Sequence, residues 1–308
     1  MTRMTTNLTK PISIKLLFAM LVVTIGAEVL LYLTRYSYLA STFYDAMMVS
    51  SFFVGLKLHR RISNSERFRL TKRQQVLKFT GAFLVFFLGS TIINIYSSNT
   101  FNDFNSDYDQ YVQDYTDMQM DVVEQKPTPD DSETKAEPVS SFFEKVDAIG
   151  ADLYTDALAG LEEVWRLAYI ILLLVVCKKL FPNRWASGKR DLFLMMALFL
   201  TSILFGIDHT LDSVEPWGVK IGAIVTFANM GLLFGLILLW TRSLWVTVLV
   251  HSLYDITATL SWYYLDYAVD IMAWAVLIVH VILLALEKVK QKRSLHQLGT
   301  AEDVQAAE

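Results

Sequence analysis

The chain has 308 residues, of which 54% are hydrophobic, 13% aromatic and only 19% charged, with a formal net charge of −4. That composition excludes disordered, collagen-like and disulfide-scaffold classes, and the small net charge gives no nucleic-acid footprint. The single cysteine, Cys177, permits no intrachain disulfide and no Cys-rich metal site, so any metal must be held by His, Asp and Glu.

Apolar runs of about 20 residues, the length that crosses a bilayer's hydrocarbon, recur near 14–36, 40–58, 76–96, 157–178, 190–208, 219–240, 244–265 and 268–286. They predict an all-α polytopic membrane protein of about eight transmembrane helices. The first run is too long for a secretory signal and lacks a small-residue cleavage site, so it reads as a retained helix. Asp45 interrupts the second.

The cationic residues set the orientation, because short Lys- and Arg-rich loops stay on the cytoplasmic side. Residues 57–78 hold Lys57, Arg60, Arg61, Arg67, Arg69, Lys72, Arg73 and Lys78, and further clusters fall at 3–15, 178–190 and 288–293. With eight spans all of these lie on one face, which predicts cytoplasmic termini. Residues 97–156 then lie outside. They carry 15 acidic residues against three lysines, a net charge of −12, and read as a solvated acidic loop. Trp240, Trp245, Trp262, Tyr263 and Tyr264 sit at span ends, as interfacial anchors do.

Ionisable side chains inside a span cost at least about 2.5–3.5 kcal/mol and are functional candidates by default. The fourth to seventh runs supply a cluster: Glu162, Glu163 and Arg166, then His209, then His251 and Asp255. His251 and Asp255 are four positions apart and share a helix face, and Glu162 and Arg166 have the same spacing. Glu163 is rotated about 100° from Glu162. Glu28, Arg35, Asp45, Asp208 and His280 match no pattern and are assigned to packing, snorkelling or partner contacts. His59 is assigned to solvent.

In this order on successive hydrophobic helices, Glu162-Glu163 with Arg166, Phe205-x-x-x-His209 and His251-x-x-x-Asp255 resemble the CAAX protease and bacteriocin-processing family (CPBP, also called Abi) of intramembrane proteases. The run Met230-Gly231-Leu232-Leu233-Phe234-Gly235 leading to His251 is similar to that family's approach to its third motif. The likeness covers about residues 155–260. One departure stands out: the family places three residues between the glutamate pair and its arginine, whereas only Val164 and Trp165 intervene here.

The resemblance implies an intramembrane endopeptidase, a hydrolase acting on a membrane-associated or exported peptide. Peptide hydrolysis needs a base for the attacking water, donors for the oxyanion and an acid for the leaving amine. Glu162 is the favoured reactive carboxylate, with Glu163 next, and His209 shares its water. By the resemblance, His251 and Asp255 stabilise the oxyanion or complete a metal site; an ionised Asp255 suits a ligand or an orienter of His251 better than an oxyanion donor. Glu162, His209, His251 and Asp255 make a plausible set for Zn²⁺ or another divalent metal with a position left for water. A metal-free glutamate mechanism is the alternative, and the sequence leaves both open.

The predicted organisation is an N-terminal region of three helices (1–96), the acidic extracytoplasmic loop (97–156), the catalytic membrane core (157–286) and a cytoplasmic tail (287–308). Counted along their spans, Glu162 and His209 lie in the outer half, which predicts a site opening outward in a bacterial cell membrane. His251, nearer the inner end of its own span, strains that depth. A different reading is a catalytically silent scaffold, or a bacteriocin-immunity or regulatory protein that binds a membrane sensor; the irregular first motif supports it. A transporter using His and carboxylates as a proton relay is a third, but the repeated broken helices it calls for are not seen.

Overall fold

The computed structural model of the chain describes residues 2–34, 36–63, 70–101, 149–151, 153–211 and 217–305. Most of the acidic loop expected over 97–156 lies outside the described residues, as does Arg35. The described residues form helices and no strands. In chain order they are α1 (Thr2–Leu8), α2 (Ile14–Thr34), α3 (Tyr38–Ser63), α4 (Lys72–Thr100), α5 (Glu162–Leu180), α6 (Pro182–Ala186), α7 (Arg190–Asp208), α8 (Trp217–Thr241), α9 (Leu244–Tyr263) and α10 (Ala268–Gln305).

Local chemistry starts several of these helices. The Ser13 hydroxyl accepts from Leu16 N at the head of α2, and Thr71 and Gln74 form a reciprocal capping box at the head of α4. Pro182 opens α6, where its missing N–H costs nothing. The link from α8 to α9 is two residues long: Arg242 takes a left-handed φ of 49°, and Ser243 then caps α9.

Six helices are long and apolar enough to cross a bilayer: Ile14–Thr34, Tyr38–Ser63, Lys72–Thr100, Arg190–Asp208, Trp217–Thr241 and Ala268–Gln291. Their outer faces leave Phe18, Phe53, Leu88, Ile92, Phe199 and Trp274 exposed. Such a surface is stable where lipid is the solvent. The two remaining long helices, α5 and α9, carry Glu162, Glu163, Arg166, His251 and Asp255 and do not meet the same apolar measure. They pack on each other and on α3, α4, α7, α8 and α10.

Cationic side chains tie the bundle together at one end. Arg61 donates to the carbonyls of Lys10 and Pro11, Arg190 to Thr6, Arg73 to Leu283, and Lys78 to Thr241, the last carbonyl of α8. Charge near a helix C-terminus is favourable there, since the carbonyls carry the negative end of the dipole.

One expected span differs in form. The run predicted over 157–178 is broken: residues 153–159 are helical, Gly160 and Leu161 turn, and α5 begins at Glu162. Gly160 lies against α9, where a Cβ would collide with the Val248 carbonyl and the Ser252 side chain. The Ser252 hydroxyl donates to Ala157 O at 2.8 Å, which fixes the break to α9.

Candidate active site

The break places Glu162 and Glu163 in the first turn of α5, where unpaired N–H groups favour carboxylates. Glu163 points inward and is fully buried, and Arg166 is 4% exposed. Arg166 donates through Nε to Oε2 of Glu163 at 2.8 Å and through Nη2 to Oε1 at 3.1 Å. Its Nη1 donates to the Gly231 carbonyl at 2.9 Å, so each of its three nitrogens is engaged. This corrects the pairing expected from spacing, in which Arg166 pairs with Glu162. The shorter interval still brings a buried glutamate and the arginine together.

Gly231 makes room for that arrangement. A Cβ there would come within 2.8 Å of Nη1 of Arg166 and 2.9 Å of the Phe205 ring. The guanidinium lies over the Phe205 ring, 4.3 Å from its centre, a cation–π contact between buried side chains.

His251, 4% exposed on α9, hydrogen-bonds through Nδ1 to Oε1 of Glu163 and through Nε2 to Oδ2 of Asp255, both at 3.2 Å. Two ionised carboxylates on one imidazole are both satisfied only when both nitrogens carry hydrogen. Phe234 stacks on the ring at 4.4 Å and Phe205 meets it edge-on at 5.9 Å, which fixes its plane. Asp255 stays partly open, with a side chain 28% exposed. Direct contact between Glu163 and His251 puts them at one depth, so α5 and α9 are staggered along their axes.

His209 follows the last residue of α7. Its Nδ1 is 2.8 Å from the Phe205 carbonyl. A carbonyl only accepts, so Nδ1 is the donor and Nε2 of a neutral ring bears the lone pair. The ring stacks on Phe227 and leans on Phe205, each 4.3 Å away between centres. Electrostatically it senses His251, Asp255 and Arg166. Glu162 is half-buried and senses His251, Asp255, Glu163 and Glu28. No hydrogen bond or ion pair engages its carboxylate among the described residues.

Of the five residues expected at the site, Glu163, His251 and Asp255 are joined by hydrogen bonds, Phe205 touches both His209 and His251, and Glu162 is related to the others through electrostatics alone. Nothing in the spacing distinguished the two glutamates: one is committed to Arg166 and His251, the other is not. Sequence reasoning missed Glu28 and Tyr169. Tyr169, on α5, donates to Oε1 of Glu28 at 3.4 Å. An isolated glutamate in the first apolar run was the only available signal.

Among the described residues, no group of three or more His, Cys, Asp or Glu side chains is disposed to hold a metal ion. Nδ1 of His209, both nitrogens of His251 and both oxygens of Glu163 already have protein partners.

Residues 161–257 match the family model described as type II CAAX prenyl endopeptidase Rce1-like. Comparison of the chain with curated proteins and with solved structures gives no match.

Proposed function

We propose that the chain, whose residues 161–257 match the type II CAAX prenyl endopeptidase Rce1-like model, hydrolyses a peptide bond of a membrane-associated or exported peptide, with Glu162 as the base. The observation that carries this reading is the division of labour between adjacent glutamates. Glu163 is held by three hydrogen bonds to Arg166 and His251, whereas the Glu162 carboxylate is uncommitted and partly accessible.

In this scheme water is held between Glu162 and Nε2 of His209. Glu162 takes one proton as the water oxygen bonds to the substrate carbonyl carbon, and the carbonyl π pair moves onto its oxygen. The resulting oxyanion is met by the positive charge of the His251 side of the site. Collapse re-forms the carbonyl and breaks the C–N bond, and the proton from Glu162 passes to the leaving nitrogen. A carboxyl and an amino terminus result. Asp255 orients His251, and Arg166 holds Glu163, so both act through their neighbours. Every step uses the chain's own side chains.

The two-residue interval before Arg166, the best support for a catalytically silent scaffold, is accommodated by a bidentate pair rather than leaving either group unpaired. An outward-facing site, cytoplasmic termini and a bacterial membrane remain part of the proposal. The test compares new peptide termini in cells carrying the wild type and Glu162→Gln at equal abundance. Termini that vanish in the variant support the protease; identical termini alongside full rescue of a gene-loss phenotype favour a scaffold that binds a sensor or a bacteriocin.

A further inference from the structure

The side of α8 turned away from the proposed site carries a polar group that the reaction above does not use. Asn229 is the middle residue of that helix, 12 positions from Trp217 and 12 from Thr241. Twelve residues rise about 18 Å, and half of a bilayer's hydrocarbon is about 15 Å thick, so the amide stands at the centre of the membrane. Exposed Trp217 at one end of α8 and exposed Trp240 near the other mark the two interfaces.

The direction of Asn229 follows from the helical repeat. Positions 7 and 11 apart on a helix differ in direction by only about 20°. Asn229 therefore points the same way as Leu236 and Trp240, whose side chains are 43% and 57% exposed. Phe227 and Phe234, which stack on His209 and His251, lie more than about 120° around the helix from it. The neighbouring helices cover the flanks: Ala228 packs at Gly206 of α7 and Leu233 at Gly89 of α4. The strip between them, with Asn229 half-buried in it, faces lipid.

The amide is half used there. Its Nδ2 donates to the Val225 carbonyl, one turn back, at 2.9 Å. Among the described residues nothing donates to Oδ1, and the second hydrogen of Nδ2 has no acceptor. Lipid tails offer neither group, and an amide carbonyl unpaired in hydrocarbon is costly. The chemistry missing is one donor and one acceptor, together, at the middle of the bilayer.

We infer that this face of α8 is a homodimer interface, closed by reciprocal hydrogen bonds between the Asn229 amides of two copies. A second copy supplies both missing groups by construction. Two chains inserted in the same orientation carry Asn229 at the same depth, and a two-fold axis along the bilayer normal turns each Nδ2 toward the other's Oδ1. Buried asparagines fix register in this way between paired helices, and amide side chains join helices inside membranes. The contact leaves the face of α8 that meets Arg166, His209 and His251 pointing away from the axis. It holds whether or not the chain is a protease.

The experiment uses the full-length protein in lipid vesicles, with energy transfer between two fluorescently tagged populations followed as the protein is diluted in lipid. The wild type should associate as a dimer. Asn229→Leu removes both cross-helix hydrogen bonds and is expected to weaken association about tenfold or more, whereas Asn229→Gln keeps an amide and should stay within about threefold of wild type. Cysteine trapping leaves Asn229 in place: in a Cys177→Ser background, Val225→Cys, one turn away on the same face, should form an interchain disulfide on mild oxidation. Thr226→Cys should not, because Thr226 is buried and hydrogen-bonded to Ser97 of α4. Should Asn229→Leu fail to fold, the cysteine pair decides. A protein monomeric at every dilution overturns the proposal, as does a dimer indifferent to Asn229→Leu, an Asn229→Gln dimer as weak as the leucine variant, or trapping at 226 instead of 225. A different membrane protein that copurifies with the wild type and is lost from Asn229→Leu, without energy transfer between copies, also overturns it and gives the face to that partner.

Discussion

Glu163 grips Arg166 through two hydrogen bonds of 2.8 and 3.1 Å while a third, at 3.2 Å, ties it to His251 on another helix. One buried carboxylate thereby joins α5 to α9, while its neighbour Glu162 has no hydrogen bond or ion pair among the described residues. Substitution should separate the two roles. Glu163→Ala strands a buried guanidinium and is expected to cost about 3–5 kcal/mol of stability, the usual result of removing one partner of a buried pair. A thermal-shift assay in detergent measures it, and a Glu163→Ala protein as stable as wild type would contradict the pairing.

Glu162→Gln should do the opposite. The side chain has no partner to lose, so the melting temperature should hold or rise. Removing a general base typically lowers turnover by roughly a hundred- to ten-thousandfold. Peptide cleavage by purified Glu162→Gln at wild-type rates would move the base elsewhere, with Glu163 next in line.

Gly231→Ala tests the packing behind the arginine. The added methyl would meet Nη1 of Arg166 at 2.8 Å and the Phe205 ring at 2.9 Å, both inside a closed cluster. Overpacking of this kind costs about 1–3 kcal/mol. Because Phe205 also carries His209, activity should fall further than stability alone explains, which parallel melting and turnover measurements reveal.

Much of this arrangement was legible in the sequence, and the failures have physical causes. Seven of the eight expected apolar runs coincide with a helix, since a bilayer demands long apolar segments, and the run over 157–178 is broken at Gly160 and Leu161. Six meet that demand on length and composition, while the two that carry the site are less apolar because the site is on them. The four-residue spacing of His251 and Asp255 correctly placed both on one face, because that relation is fixed within a single helix. The same rule failed for Glu162 and Arg166. Glu163, one residue nearer, faces His251 while the Gly231 carbonyl takes Arg166, and only the packing of α5 on α8 and α9 selects between the two. The turn at Gly160 and Leu161 was likewise hidden, since one glycine in an apolar run gives no warning of a neighbouring backbone. The Tyr169–Glu28 contact joins residues 141 positions apart, beyond any spacing rule.

Asp255 tests the orientation of His251. With its side chain removed, Nε2 loses its carboxylate while Nδ1 keeps Glu163, so the ring stays buried and its outer nitrogen is unrestrained. Asp255→Ala is expected to lower kcat about a hundredfold with a smaller change in KM, the pattern of a misplaced catalytic group. Asp255→Asn retains a carbonyl acceptor for Nε2 and should recover most of that loss. Equal impairment in the two variants would show that the charge of Asp255, rather than its hydrogen bond, is what the site needs.

Metal removal separates the side-chain mechanism from one built on a divalent ion. Glu162, His209, His251 and Asp255 offer the donor types that Zn²⁺ or Mn²⁺ accepts, and a metal-bound water would supply the nucleophile. Binding would require His251 to release Asp255 or Glu163, and Glu162 to swing toward the two imidazoles. The side-chain mechanism instead expects turnover within about twofold of the starting value after dialysis against a strong chelator, since the general base keeps its place without an ion. Activity that disappears on chelation and returns with Zn²⁺ or Mn²⁺ would replace it. The metal content of the Asp255→Ala and His209→Ala proteins would then identify the ligands.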